Sequence, residues 1–140
     1  MIVLNQYDEV LVGRRKSRSG NGKYQFPGGW LEYCETFAAC AVGELEEEAG
    51  IVAKEEDVKL VHMLNVYDKK QRYHTVDLYM LYQVKKEEVN PVNMEPESSH
   101  GWEWMKWDTF TNLARELHFL PNLVFFDCGF SDLNKIKAFT

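Results

Sequence analysis

Apolar positions open the chain in two short runs, "MIVLN" at 1–5 and "EVLVGRRK" at 9–16, with the turn-like "QYD" between them. Runs of this length bounded by turn residues predict two strands. The Gly- and Ser-rich "SRSGNG" then reads as a surface loop, and "KYQFP" as a short strand that Pro27, Gly28 and Gly29 terminate. Beyond Thr36 the spacing changes. Ala38, Ala39, Ala41, Leu45 and Ala49 favour a helix, with Thr36 as N-cap and Gly50 as its stop. "VKLVHMLNVYD" and "YHTVDLYMLYQV" carry the β-branched and aromatic enrichment of two longer strands, joined by the polar "KKQR". The two prolines and polar content of "EEVNPVNMEPESSHG" at 87–101 predict a loop. "WEWMKW" alternates as a strand does, Asp108 is placed to cap a helix containing Leu113, Ala114 and Leu117, and one or two short helices are expected from Pro121 onward. Trp102, Trp104 and Trp107 are expected to pack inward or across a dimer contact. Strands mixed with helices in this order predict an α/β (α+β) chain.

Length and composition narrow the possibilities. A chain of 140 residues, 45% hydrophobic and 14% aromatic, suits one domain with a single core, 1–140. Its net charge of -6 disfavours a nucleic-acid polymer or an anionic membrane as partner, since both reward clustered Lys and Arg. A chain so negative needs a cation to handle phosphates. No apolar run approaches the roughly 20 residues of a membrane span, and no charged start leads into an apolar signal, so a soluble, cytoplasmic protein is expected. Cys34, Cys40 and Cys128 include no C-x-x-C pair, which suits a reducing compartment and argues against zinc. Cys40 is expected in the core and the other two as free thiols.

The stretch "PGGWLEYCETFAACAVGELEEEAGI", residues 27–51, concentrates the chemistry. On a helix Glu44, Glu47 and Glu48 stand at i, i+3 and i+4, so their carboxylates rise from one face and repel. Each such pair costs a few tenths of a kcal/mol, and Gly43 inside the helix adds about 1 kcal/mol relative to Ala. A divalent cation would relieve this, because Mg²⁺ takes oxygen ligands and is commonly shared between carboxylates and substrate phosphates. A plain solvated acidic face is the commoner origin of such runs, and the helix alone favours it over a cation site.

A longer spacing reverses that preference. Gly29, Glu35, Glu44, Leu45, Glu47, Glu48, Gly50 and Ile51 fall at the positions of the Nudix box, Gly-x5-Glu-x7-Arg-Glu-U-x-Glu-Glu-x-Gly-U with U a bulky aliphatic, and only the Arg is missing. The chain resembles the Nudix hydrolase superfamily over nearly its whole length. "QFPGG", "GGWLEYCETFAACA", "YH" at 73–74, "NMEPESSHGWEWMKW", "FLP" and "GF" are similar to the MutT-like nucleoside-triphosphate pyrophosphatases of human and plant nucleotide-pool sanitation. The resemblance implies a mixed β-sheet sandwiched between helices, with the box at 29–51 forming a loop, helix and loop. It implies Mg²⁺, with Mn²⁺ as substitute, held by Glu44, Glu47, Glu48 and the backbone carbonyl of Gly28. Glu44 or Glu47 then serves as general base while the cation neutralises phosphate charge and lowers the pKa of its water. Glu35 is implied as an orienting residue of the catalytic set, bonding to the turn. Arg15 matches a basic position of the subgroup and Phe119 and Leu120 match base-holding positions; on the residues alone, a surface charge and plain core remain open for them. The implied partners are a nucleotide substrate and a second copy in a homodimer. The chain begins within what would be the family's first strand.

The implied reaction is hydrolysis of (deoxy)nucleoside triphosphates, with oxidised ones such as 8-oxo-dGTP included, to the monophosphate and pyrophosphate. A nucleoside-diphosphate derivative or dihydroneopterin triphosphate is an alternative substrate, because specificity in such folds sits outside the box. Gly43 stands where the box Arg pairs with a glutamate. Its presence leaves a second class open, a nucleotide-binding or sensor protein with weak turnover.

Overall fold

The computed structural model describes residues 1–85 and 89–140. Six strands form one mixed sheet: β1 (Ile2–Leu4), β2 (Glu9–Arg15), β3 (Tyr24–Gln25), β4 (Val58–Asp68), β5 (Tyr73–Gln83) and β6 (Ser99–Lys106). Along the main path the order is β3-β2-β1-β5-β4, with β6 antiparallel to β2. The mixed character comes from one pairing, since β1 and β5 run parallel and all other neighbours are antiparallel. β1 meets β5 only at Leu81, Tyr82 and Gln83, so among the described residues Tyr73 to Met80 pair with β4 alone.

The period-two alternation of strand side chains divides the core into two layers. Ile2, Leu4, Val10 and Val12 face the C-terminal helices α2 (Trp107–Thr111), α3 (Leu120–Phe125) and α4 (Leu133–Lys137), together with Phe26, Tyr79, Phe110 and Phe125. Met1, Val3 and Leu11 face α1 (Phe37–Ala49). The sheet is therefore sandwiched between helices, as expected. α1 buries Ala41, Leu45 and Ala49, one stripe at four-residue spacing. Full burial of Leu45 alone is worth about 1.5–3 kcal/mol.

Both ends of α1 follow the sequence. Thr36 accepts a hydrogen bond from the Ala39 amide at 3.0 Å, and Gly50 adopts a left-handed φ of 68° while its N–H reaches the Glu46 carbonyl. Elsewhere three expectations are corrected. Asp108 does not cap α2; the cap position is Lys106, because β6 runs on to that residue and the Trp107 amide donates to the Asp8 carbonyl. α2 then stops before Leu113, since the Asn112 side chain takes the Asp108 carbonyl at 2.7 Å, and 115–117 form a separate single turn. The loop expected over 87–101 is shorter, as β6 already begins at Ser99, whose hydroxyl bonds to the Arg14 carbonyl; its Glu87 and Glu88 lie outside the described residues.

Cys40 is the further correction. It is half-buried at a cavity rather than in the core, with its thiol 3.5 Å from the Trp30 carbonyl. Cys34 and Cys128 are exposed and free. Trp107 is fully buried, its indole N–H donating to the Ser131 carbonyl, while Trp102 and Trp104 pack half-buried on the α1 side. No helix among the described residues is long and apolar enough to cross a membrane.

His118 is 1% exposed, with ring centroids 4.9 Å from Phe110 and 5.3 Å from Phe126. Neither ring nitrogen has a well-formed hydrogen bond. Burial holds its pKa below the ordinary value, opposed by the nearby Phe110 backbone and reinforced by Arg115. The folded chain thus binds this proton less readily than the unfolded chain. Full stability is present above about pH 6.5, where both states are neutral, and falls as pH drops from there through the lowered folded pKa. Denaturant unfolding of wild type and His118→Phe from pH 7.5 to 5 should show a shallower acid loss in the variant. Equal slopes would contradict a buried neutral imidazole.

Candidate active site

The Pro27-Gly28-Gly29 turn leads off β3 and runs against α1, and the site is built where the two meet. Glu44 and Glu48 lie one turn apart on the half-buried side of α1, whereas Glu47 is exposed. The Glu48 carboxylate accepts the Gly28 N–H at 3.0 Å. A Cβ at Gly29 would overlap the Glu44 carboxylate, so any other residue there has to push that side chain aside. Glycine at this position lets the backbone approach a side chain that must occupy the same space.

The electrostatics record the crowding. Burial, opposed by the Gly28 amide and reinforced by Glu44 and Glu95, pushes the Glu48 carboxyl up to about 7. Burial also raises Glu44, with Glu47, Glu95, Glu35 and Glu32 adding to it. Glu35 lies in the turn outside the helix, where its carboxylate accepts the Glu32 amide at 3.0 Å. The Cys40 thiol is pushed up to about 11, first by burial and then by Glu35 and Glu44.

Two adjoining clefts share this turn. The smaller, about 130 Å³, is lined by Arg15, Gly28, Glu48, Glu95, Ser99 and Trp102 among others. The larger, about 590 Å³, runs along the part of β5 that β1 leaves uncovered, toward Tyr73, Asp77, Phe119 and Asn122. Its volume is that of a small-molecule pocket. Arg15, Gln25 and Gly28 line both. Arg15 is held by the Ser19 carbonyl at 2.9 Å, Gln25 at 2.6 Å and Ser17 at 3.0 Å, and its guanidinium lies 3.9 Å above the Phe119 ring. Burial lowers its pKa, with Tyr73 and Glu48 opposing; no carboxylate among the described residues forms an ion pair with it.

Of the sequence-derived residues, Gly28, Glu44, Glu48, Arg15 and Phe119 are brought to the clefts or their rim, and Glu35 to the turn beside them. Two are not. Leu120 packs against the core behind α3 and is absent from the cavity wall, because it is Phe119, just outside the helix, that turns toward Arg15. Glu47 points to solvent. Among the described residues no three acidic, His or Cys side chains converge to enclose a metal ion, so the expected set of Gly28, Glu44, Glu47 and Glu48 is not preassembled. The donors nonetheless fit a hard cation. They are oxygen ligands on one helix face, Gly29 leaves their cradle open, and their mutual repulsion is what a divalent charge would relieve.

Sequence reasoning missed Glu95 and Trp102. Glu95 joins the acidic cleft from the loop before β6 and raises both Glu44 and Glu48. The Trp102 indole donates to the Glu48 backbone carbonyl at 3.0 Å, tying β6 to the end of α1. "NMEPE" reads locally as a loop, the resemblance carried by 93–107 gives its glutamate no role, and its long-range contact with α1 leaves no local signal.

The NUDIX domain family matches residues 1–124, and the chain belongs to that family. The archaeal ADP-ribose pyrophosphatase of Methanocaldococcus jannaschii is 27% identical over 85 residues, 59% of this chain and 47% of that protein. The chain thus spans about half the length of that curated relative. A MutT NUDIX hydrolase from Burkholderia pseudomallei shares the fold with a TM-score of 0.63 at 22% identity, over 76% of this chain and 82% of that one. The NUDIX domain of Shewanella oneidensis NrtR, solved with ADP ribose, superposes with a TM-score of 0.69 at 15% identity, over 88% and 79% respectively.

Two glycines give opposite expectations. Gly29→Ala should leave the fold intact but displace the Glu44 carboxylate, lowering kcat by about 10²-fold, as a misplacement of roughly 1 Å does. A Cβ at Gly43 meets nothing within 4 Å, so Gly43→Arg should be accommodated and raise helix stability by about 1 kcal/mol. Melting curves and steady-state rates check both. If the missing box Arg orients a glutamate, Gly43→Arg also raises the rate.

Proposed function

We propose that the protein is a pyrophosphohydrolase of nucleoside phosphoanhydrides that depends on a divalent cation. The observation that carries this reading is the adjacency of the two clefts: uncompensated carboxylates beside an anchored arginine, continuous with an aromatic-lined cavity large enough for a nucleoside. Family membership supports it.

Glu44, Glu47 and Glu48, with the Gly28 carbonyl, would hold Mg²⁺ or Mn²⁺, which supplies charge neutralisation on the phosphate oxygens and acidifies water. The chain supplies the rest. Arg15 is held with its charge facing the shared cleft, positioned for phosphate oxygens that the carboxylates would otherwise repel. Phe119 and Tyr73 form aromatic walls, with centroids 5.9 Å apart. Water attacks a phosphorus of the anhydride, the bridging P–O bond breaks, and the proton leaves to a carboxylate base, for which Glu47 and Glu44 are the candidates. Glu35 stiffens the turn that carries the site.

We infer (deoxy)nucleoside triphosphates as the substrate class, oxidised ones included. The similarity to an ADP-ribose pyrophosphatase favours a second reading, cleavage of a nucleoside diphosphate joined to a sugar. Both use the same anhydride chemistry. With Mg²⁺ present, a panel of dNTPs, 8-oxo-dGTP and ADP-ribose separates them by product: pyrophosphate with monophosphate, or two monophosphates. Glu47→Gln should lower kcat at least 10²-fold, the scale of losing a general base, and change the metal dependence. Unaltered turnover and metal response would remove Glu47 from the site, and nucleotide binding with no turnover at all would leave a binding protein.

A further inference from the structure

The wall formed by β5 has a polar ladder on one face. Tyr73, Thr75, Asp77 and Tyr79 alternate along the strand and all line the larger cavity. At its deep end the polar groups satisfy one another. The Tyr79 hydroxyl is 3.4 Å from the Asn122 Oδ1, and the Asn122 Nδ2 donates to the Tyr24 carbonyl at 3.0 Å. At its outer end the Tyr73 and Thr75 hydroxyls lie 3.4 Å apart.

Asp77, between them, is different. It is half-buried, and among the described residues no Lys or Arg forms an ion pair with it. The groups that face it are the Thr75 hydroxyl, which bonds to its carboxylate, and more remotely the Met1 nitrogen, itself donating to the Pro27 carbonyl. Burial raises its pKa, with both of these opposing. A carboxylate can accept about four hydrogen bonds, and one hydroxyl leaves most of that capacity unused. Asp77 thus keeps unfilled acceptor capacity on a wall it shares with Phe119, Tyr73, Val76 and Leu78, and a ligand that covered it without filling that capacity would bind at a cost.

We propose that Asp77 is the specificity-determining residue of the cavity, accepting paired hydrogen bonds from a planar heterocycle that presents two adjacent N–H donors, a ring N–H beside an exocyclic amino group. This rests on the nucleotide reading above and names the edge that the site selects. Two parallel N–H bonds to one carboxylate are the geometry that a guanine-type ring offers. An adenine-type edge places an acceptor beside its amino group, and a uracil-type N–H is flanked by carbonyls, so neither satisfies the carboxylate twice. Tyr73 and Phe119 then hold the ring while Arg15, above Phe119, lies toward the phosphate end.

GTP and ITP differ only in the exocyclic amine and are the probes. Hydrolysis of both is compared with Mg²⁺ for wild type, Asp77→Asn and Asp77→Ser, and GMP and IMP binding is measured by calorimetry without metal. Wild type should favour the guanine member by about 10-fold or more in both assays, the scale of an unpaired buried polar group. Each variant that melts as wild type does should reduce the preference to within about 3-fold, mainly by weakening the guanine ligand. Hydrolysis of nucleotides with no GTP preference in wild type, or with a preference unaltered in both variants, overturns the assignment of Asp77 alone. Failure to bind or hydrolyse any nucleotide overturns the parent reading and this inference with it.

Discussion

The arrangement depends on holding carboxylates where helix electrostatics least favours them. Glu44, Glu46, Glu47 and Glu48 occupy the C-terminal half of α1, no basic residue stands in its last turn, and the helix dipole presents its negative end there. Repulsion along the face and the flexibility of Gly43 add to the cost. What keeps the helix formed is packing. The Ala41, Leu45 and Ala49 stripe is buried against Val3, Leu11 and Met80, and residues 92–94 clip onto its end through the Val92 amide to Ala49 and the Met94 amide to Glu48. Small alanines on that stripe let the helix lie close to the sheet, which brings Glu44 against Gly29. The strain is local and functional in kind, compensated by burial at a distance from it.

Most of the fold was legible because its signals are local. Thr36 and Gly50 bound α1 to the residue, and the long hairpin of β4 and β5 follows from composition and the polar tip between them. What failed was set by long-range contacts. Asp108 has the chemistry of a cap, but the strand pairing of β6 with β2 carries the chain to Lys106 first. Cys40 has the size and polarity of a core residue, yet it falls where α1 borders a cavity.

The site divides the same way. Gly29, Glu44 and Glu48 were legible as a spacing, and their closeness follows from a turn and a helix adjacent in sequence. Glu95 and Trp102 come from more than forty positions beyond the box, so only the folded sheet reveals that they complete the acidic cleft. Phe119 and Leu120 are neighbours with similar side chains, and one reaches the cavity while the other does not; the start of α3 decides, since its first turn rotates Leu120 inward. Residue type could not have separated them.

The larger cavity owes its existence to topology rather than to any single residue. β1 covers three positions of an eleven-residue strand, so the rest of the β5 margin facing it is lined by the 27–31 turn, the start of α1 and Phe119 in place of a neighbouring strand. Side chains from both faces of β5 consequently reach one space, Val76 and Leu78 from one face, Thr75 and Asp77 from the other. An apolar wall and a polar wall arise from the same strand without any break in its alternation. That economy explains why a sheet whose interior is conventionally packed can still present a half-buried carboxylate beside aromatic rings, a few residues from the turn that carries the acidic helix.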